Sequence, residues 1–300
     1  MTSARVPRVV LVTRPTDFER LVARHGTRAQ AEFFLKTRGQ SLADVEARHA
    51  AFERALTTVM NAVPVAWRRN RVARADLDRF LFEPDDVVVA LGQDGLVANV
   101  AKYLMGQPVI GLNPAPDLYP GVLVPHRPDV AEELLHVAVS TGGKYEERTM
   151  VEADLDDGQR LVALNEIFVG HRSHQSARYR LTWDKRTERQ SSSGVITATG
   201  TGATGWARSI DRERERHVAL PTPTSGQLVW FVREAWPSVA TGTSLTEAVV
   251  PAGAAVEITS EMDEDGVIFG DGIETDRLEF SWGRRVTLRA AAMRLRLLVG

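Results

Sequence analysis

The chain of 300 residues contains no cysteine, which rules out disulfides, thiolate nucleophiles and cysteine-ligated zinc. Lysine is nearly as scarce: Lys36, Lys102, Lys144 and Lys185 are the only ones among 37 basic residues. There is no Gly-x-x-x-x-Gly-Lys-Ser/Thr stretch, so any phosphate chemistry needs a different cradle. No apolar run approaches the length needed to span a bilayer. The formal net charge of −2 argues against a dedicated nucleic-acid binder. Neither a membrane nor a nucleic acid is therefore an expected partner. The first strand candidate, Val9-Val10-Leu11-Val12, starts after a few residues, leaving no room for a signal or transit peptide, and a cytoplasmic location is expected. Internal repeats and low-complexity tracts are absent from the sequence.

What is present is a hydrophobic content of 43%, enough to bury a substantial core and to fill two domains. The chain is organised around Asp85-Asp86-Val87-Val88-Val89-Ala90-Leu91-Gly92-Gln93-Asp94-Gly95. A short, continuously apolar and β-branched run predicts a strand buried on both faces, as in a parallel sheet. Its glycines permit a tight turn and a close backbone approach. Leu96 to Leu104 then reads as a helix whose N-terminal amides favour an anion. Asp94 sits where open α/β sheets place their ligands, beyond the carboxyl end of a strand. It can equally be a helix cap.

Arg8 to Val12 predicts a first buried strand, and Thr27 to Lys36 a helix. Ser41, with Asp44 three residues on, resembles a capping box. Leu42, Val45, His49, Phe52, Leu56, Val59 and Val63 then form one apolar stripe of a long helix stopped by Pro64. Val65-Ala66-Trp67 is a strand candidate, Leu77 to Leu81 a short helix, and Pro108 to Leu112 another buried strand. Strand and helix alternate, which predicts an open α/β domain with a mostly parallel sheet. After Pro125 the texture changes. Pro128 to Val139 is one more helix, followed by short alternating segments such as Tyr179–Trp183, Leu228–Val232, Ala255–Ile258 and Leu278–Trp282. These predict a β-rich second domain. Asp184 to Ser193 and Asp211 to Pro223 read as polar loops. The expected fold class is thus α/β, an N-terminal open α/β (Rossmann-like) domain over residues 1–125 and a β-rich C-terminal domain from residue 126.

Four places carry polar groups that a fold alone does not require. The Gly92–Gly95 turn is one. Asn165-Glu166 is the second, an amide and an acid inside the apolar run Leu161–Val169, where buried polar groups need partners. They can cap a strand end, or read a nucleoside, with the amide on a base edge and the carboxylate on ribose hydroxyls or base nitrogens. The third is Thr197-Ala198-Thr199-Gly200-Thr201-Gly202-Ala203-Thr204-Gly205-Trp206, rich in exposed amides as a nucleotide nest would be. Its Gly-x-Gly-x-x-Gly is not a Rossmann fingerprint, because no βαβ unit with a distal acid surrounds it. The fourth is the acidic stretch Asp263–Asp276 with Gly270-Asp271-Gly272, which does not fit an EF-hand. His171 and His174 have no evident third ligand, so no metal-ligating residues are assigned.

In this order the four places resemble the NAD kinase family. Gly92-Gln93-Asp94-Gly95 matches its Gly-Gly-Asp-Gly, Asn165-Glu166 its Asn-Glu pair, the Thr/Gly loop follows, and Asp271-Gly272 matches its C-terminal Asp-Gly. Ser192-Ser193-Gly194 leading to Thr199-Gly200-Thr201-Gly202 and Trp206, with Arg233-Glu234 and Arg48-His49, looks like the mitochondrial-type branch. The resemblance spans nearly the whole chain. It departs in two places: Gln93 replaces the second glycine, and Leu96 the usual Thr. If that glycine is needed for positive φ or for close phosphate approach, Gln93 distorts or plugs the cradle; if φ is ordinary, its amide can serve a phosphate.

The resemblance implies a β-rich NAD-binding domain over residues 126–289 and a last strand, about residues 290–300, that returns to the first domain. It also implies ATP-dependent phosphorylation of the adenosine ribose 2′-hydroxyl of NAD, giving NADP. Asp94 would be the general base, with Gly92, Gln93 and Gly95 at the donor phosphates and Mg²⁺ offsetting their charge. Asn165 and Glu166 would grip adenosine, and Thr199, Gly200, Thr201 and Gly202 would line the same pocket. Asn113 would face that cleft or cap a turn, and Asp271 would close the site or bind metal. A homodimer is the expected assembly. Two alternatives stand beside this one: a kinase of the same superfamily acting on a lipid or sugar hydroxyl, and a non-catalytic NAD/ATP-binding sensor, suggested by Gln93 and Leu96. A Rossmann oxidoreductase is a distant third.

Overall fold

The computed structural model describes residues 6–140 and 142–299. The chain divides into two compact units: one runs up to Glu146 and resumes at Arg296, and the other is Glu147–Leu295.

The first unit is α/β. Its strands are β1 (Arg8–Thr13), β2 (Arg68–Ala73), β3 (Asp86–Leu91) and β4 (Pro108–Leu112). They form a parallel sheet in the order β2-β1-β3-β4, completed on the β4 side by Arg296 and Leu297, which pair with Pro108 and Val109. All six residues of β3 are buried, as expected for a central parallel strand. Its first residue is Asp86, fully buried, and Arg8 Nε and Nη2 each hold one of its carboxylate oxygens at 2.6 Å. The helices are α1 (Asp17–His25), α2 (Arg28–Lys36), α3 (Leu42–Ala62), α4 (Asp94–Ala101) and α5 (Ala131–Val139). Phe52, Leu56 and Val59 of α3 and Leu134 and Leu135 of α5 cover Val9, Leu11, Val87, Val89 and Ile110 of the sheet.

Three local expectations change. The second strand is Arg68–Ala73, not Val65-Ala66-Trp67: Trp67 N–H closes a turn on Pro64 O at 2.9 Å, and Val65 is exposed. As an edge strand β2 carries exposed arginines that an apolar-run criterion passes over. Helix α1 went unanticipated, although Thr16 and Glu19 form a full capping box there. Ser41, by contrast, caps α3 without a side-chain hydrogen bond.

The second unit is β-rich. Its strands are β5 (Tyr145–Leu155), β6 (Arg160–Ala163), β7 (Glu166–His171), β8 (Ala177–Trp183), β9 (Arg186–Ser192), β10 (Val195–Thr199), β11 (Leu228–Val232), β12 (Glu247–Val250), β13 (Ala255–Ser260), β14 (Gly266–Gly270), β15 (Leu278–Glu279) and β16 (Arg285–Leu298), with one helix α6 (Trp206–Arg212). Strands β12-β11-β10-β7-β14-β15 form a six-stranded antiparallel sheet. A second antiparallel run places β13 between β16 and the β8–β9 hairpin. The core between them contains Tyr179, Trp230 and Phe280, all fully buried.

Residues 184–193 are not a loop. They hold β9, and the turn before it has positive φ at Asp184 (46°) and Lys185 (61°), the type I′ geometry of a tight hairpin. Leu161–Val169 is two strands, β6 and β7, with the bend at Leu164-Asn165. Residues 211–223 begin inside α6.

Candidate functional site

In the first unit the candidate residues gather where β3 ends. Gly92 extends the ladder by one bond, its N–H donating to Leu112 O at 2.9 Å. That amide is therefore not free to hold a phosphate, which corrects the role expected of Gly92. Gln93 follows with φ −110° and ψ 167°, an extended backbone that any residue adopts. The glycine-to-glutamine departure consequently carries no conformational strain. Gln93 is the N-cap of α4, and Asp94 is its first residue. The amide of Gly95, in the first turn, has no intrahelical acceptor. Leu96, which replaces a family threonine, is buried.

Asp94 projects onto the segment after β4. Its Oδ1 accepts from Leu123 N–H (2.8 Å) and Val124 N–H (3.2 Å), and its Oδ2 from Val122 N–H (3.0 Å). Gly111 makes this contact possible, because a Cβ there would fall on the Leu123 carbonyl oxygen. A carboxylate offers about four lone-pair positions. Three are engaged, and one on Oδ2 remains for an incoming hydroxyl. Asn113 is nearly fully buried and acts on its own loop: Nδ2 donates to Tyr119 O at 2.7 Å, and Oδ1 accepts from Ala115 N–H at 3.0 Å. Turn-capping is thus its role in this structure.

A small cavity of about 90 Å³ lies beside the same turn, lined by Arg14, Arg48, His49, Gln93, Asn113 and Tyr119 among others. Arg14, just past the end of β1, donates from Nη2 to Gln93 Oε1 at 2.6 Å. Burial, followed by repulsion from Arg20, lowers the pKa of Arg14 below the ordinary arginine value. No motif pointed to Arg14. The rule that singled out Asp94, a residue just beyond the carboxyl end of a buried parallel strand, would have found it.

In the second unit Asn165, Glu166, Thr199, Thr201, Gly202 and Asp271 come together. Asp271 Oδ2 accepts from Leu164 N–H at 2.9 Å and Oδ1 from Asn165 N–H at 2.7 Å. Asp271 itself has φ 53°, an uncommon backbone for a non-glycine residue. Asn165 O accepts from Thr199 N–H at 2.9 Å, while Thr199 Oγ1 donates to Leu164 O at 2.6 Å. Thr199 Oγ1 also accepts from Thr201 N–H at 3.1 Å and Gly202 N–H at 3.3 Å. The Thr/Gly loop is therefore a packed corner rather than an open nest. Cβ atoms at Gly200 and Gly202 would fall on the backbones of Thr222 and Asn165. Arg148, deeply buried, reaches Thr201 Oγ1 from below at 3.4 Å.

This corner fixes the backbone of Asn165 and leaves two polar ends unengaged. Among the described residues the side chains of Asn165 and Glu166 make no hydrogen bond. Burial first, and the nearby Asp271 carboxylate second, push the Glu166 pKa up to about 7. A buried acid with a raised pKa and no hydrogen-bond partner is the kind of group that functional sites hold. His171 and His174 lie apart, in the lining of a wider cleft with Phe168, Trp206 and Arg233. No three acidic or histidine side chains converge on one point among the described residues.

No sequence-family model matches the chain. A stretch of 127 residues is 30% identical to the NAD kinase of Chlorobaculum tepidum, covering 41% of this chain and 44% of that protein. The sequence match thus spans less than half of the relative. The fold match is longer. The crystal structure of yeast NADH kinase complexed with NADH superposes with a TM-score of 0.64 at 14% identity, covering 99% of this chain and 84% of that one. An NAD kinase from Archaeoglobus fulgidus, in complex with ATP, gives a TM-score of 0.59 at 18% identity over 98% of this chain and 93% of that one. The chain thus shares the fold of these two solved structures over nearly its whole length, and sequence likeness to the bacterial NAD kinase over 41% of it.

Proposed function

We propose that the chain is an NAD(H) kinase, transferring the terminal phosphoryl group of ATP to the adenosine ribose 2′-hydroxyl. The observation that carries this reading is Asp94, at the end of a buried parallel strand with one lone-pair position unengaged. In the proposed mechanism Asp94 accepts the hydroxyl proton as the oxygen attacks phosphorus. The three amides of residues 122–124 keep the carboxylate in one orientation, so the proton acceptor is in place before the hydroxyl arrives. The Gly95 amide and the α4 N-terminus face the donor's charge. Asn165 and Glu166 recognise the nucleoside, and Asp271 holds Asn165 in position. With no acidic cluster among the described residues to cage it, Mg²⁺ would be carried on the donor phosphates, its usual mode in phosphoryl transfer. A homodimer is part of this reading. Gln93 gives no backbone reason for an impaired site.

The test is NADP or NADPH formation from ATP, Mg²⁺ and NAD or NADH by the purified protein. Asp94→Asn is expected to lower kcat by roughly a hundred- to ten-thousand-fold, the range for a general base. NAD affinity and circular dichroism should stay at wild-type values. Wild-type turnover from Asp94→Asn would remove Asp94 from the mechanism. Absence of product from the wild type with every donor would overturn the kinase reading.

A further inference from the structure

The cavity beside Gln93 brings together two arginines, neither of which is in an ion pair among the described residues. Arg14 makes one hydrogen bond, to the neutral Gln93 amide, and no ion pair. Arg48, on α3, makes neither among the described residues, and its Nε is buried with no acceptor. The nearby acids are committed elsewhere. Asp17 lines the same cavity and its charge acts on Arg14, but its carboxylate is paired with Arg20; Glu19 completes the Thr16 cap, and Asp94 accepts from the 122–124 amides. A half-buried guanidinium without an anion is costly, and Arg14 is further opposed by the charges of Arg20 and Arg74. The positive end of the α4 dipole, at Gln93, points the same way. A cavity of about 90 Å³ is far below the ~300–1,000 Å³ of sites for drug-sized ligands. Phosphoryl groups match both its size and its donors, since guanidinium forks pair with phosphate oxygens in a bidentate manner.

We propose that Arg14 and Arg48 form a phosphate clamp, with Gln93 as the positioning residue that aims Arg14. Glutamine in place of the family glycine is then a gain: its Oε1 fixes a guanidinium that glycine would leave free. The clamp takes the phosphate chain of the phosphoryl donor. Only that assignment of the anion rests on the kinase reading; the anion site itself does not.

Calorimetry with inorganic tripolyphosphate tests the site without any turnover. Wild type should bind it, Arg14→Gln and Arg48→Gln should each weaken binding roughly tenfold or more, and the double variant should abolish it. Arg48→Lys, which keeps the charge and loses the fork, should be intermediate, and circular dichroism checks that each variant folds. Gln93→Gly should weaken tripolyphosphate binding while leaving NAD affinity unchanged. No binding by wild type, or equal binding by the double variant, overturns the clamp. ATP should displace tripolyphosphate and NAD should not; displacement by NAD alone would overturn the donor assignment. If tripolyphosphate binding depends on both arginines but no NADP forms, the kinase reading falls and the anion site stands.

Discussion

Glu166 is a carboxyl whose charged form is disfavoured by folding, because burial and Asp271 raise its pKa from 4.5 to about 7. Between those values the folded state holds a proton that the unfolded state has released. Stability from this group is therefore fully present below about pH 4.5 and is lost as pH rises toward 7. Glu166→Gln removes the titration. The stability of wild type minus that of the variant, from urea denaturation at pH 4 to 8, should fall by ~3 kcal/mol across that window. A difference that stays flat or rises would show that Glu166 ionises freely. The identity of Asn165-Glu166 could be read from sequence, as an amide and acid in an apolar run. Its raised pKa could not, because that depends first on burial in the fold and then on Asp271, more than a hundred positions away. Arg14 escaped for a related reason, and Arg48 was marked only by the resemblance: a lone arginine carries no pattern of its own until the fold shows what surrounds it.

Strand β4 shows how an element can serve a site it does not contain. Gly111 lets the 122–124 segment lie directly on the strand, and its amides thereby reach Asp94. Gly111→Ala should cost about 1–3 kcal/mol through overpacking and loosen those amides, seen as faster hydrogen exchange at Val122–Val124. Unchanged exchange would mean the segment is held by other contacts. Gly95→Ala gives the opposite contrast. No atom lies within 4 Å of a Cβ there, so the melting temperature should hold or rise slightly. KM for the nucleotide should rise if phosphates approach that backbone; an unchanged KM would place them elsewhere. At this scale the sequence was informative where burial was two-sided, as in β1, β3 and β4, or one-sided and helical, as in α3. It was silent where a strand is mostly polar: β2 exposes four of its six residues and β9 three of its seven, and neither alternation nor an apolar run marks them.

Across the whole chain, the first unit is assembled from two separate lengths of sequence. Its sheet is completed by Arg296 and Leu297 against β4, and Leu298 is fully buried in its core. His126 Nε2 and Leu298 O, 3.0 Å apart, add a hydrogen bond to that attachment. Removing the residues after Leu295 should destabilise this unit by roughly 3–6 kcal/mol, the burial of two leucines. It would also bare the β4 edge to self-association. Hydrogen exchange in β4 and light scattering of the truncated protein are the measurements. Exchange and scattering matching the full chain would show that β4 needs no neighbour. A returning last strand was expected only because related proteins return theirs; Arg285–Leu298 reads as one continuous segment, and nothing in its alternation marks Arg296 as the point of departure.

That return also fixes an order of events during synthesis. The residues that complete the first sheet leave the ribosome after every residue of Glu147–Leu295, so the unit begun first is finished last. Until then β4 has an open edge in the nascent chain. A pause or premature stop just after Leu295 would thus expose the unit that carries Asp94, while the second unit's sequence is already made.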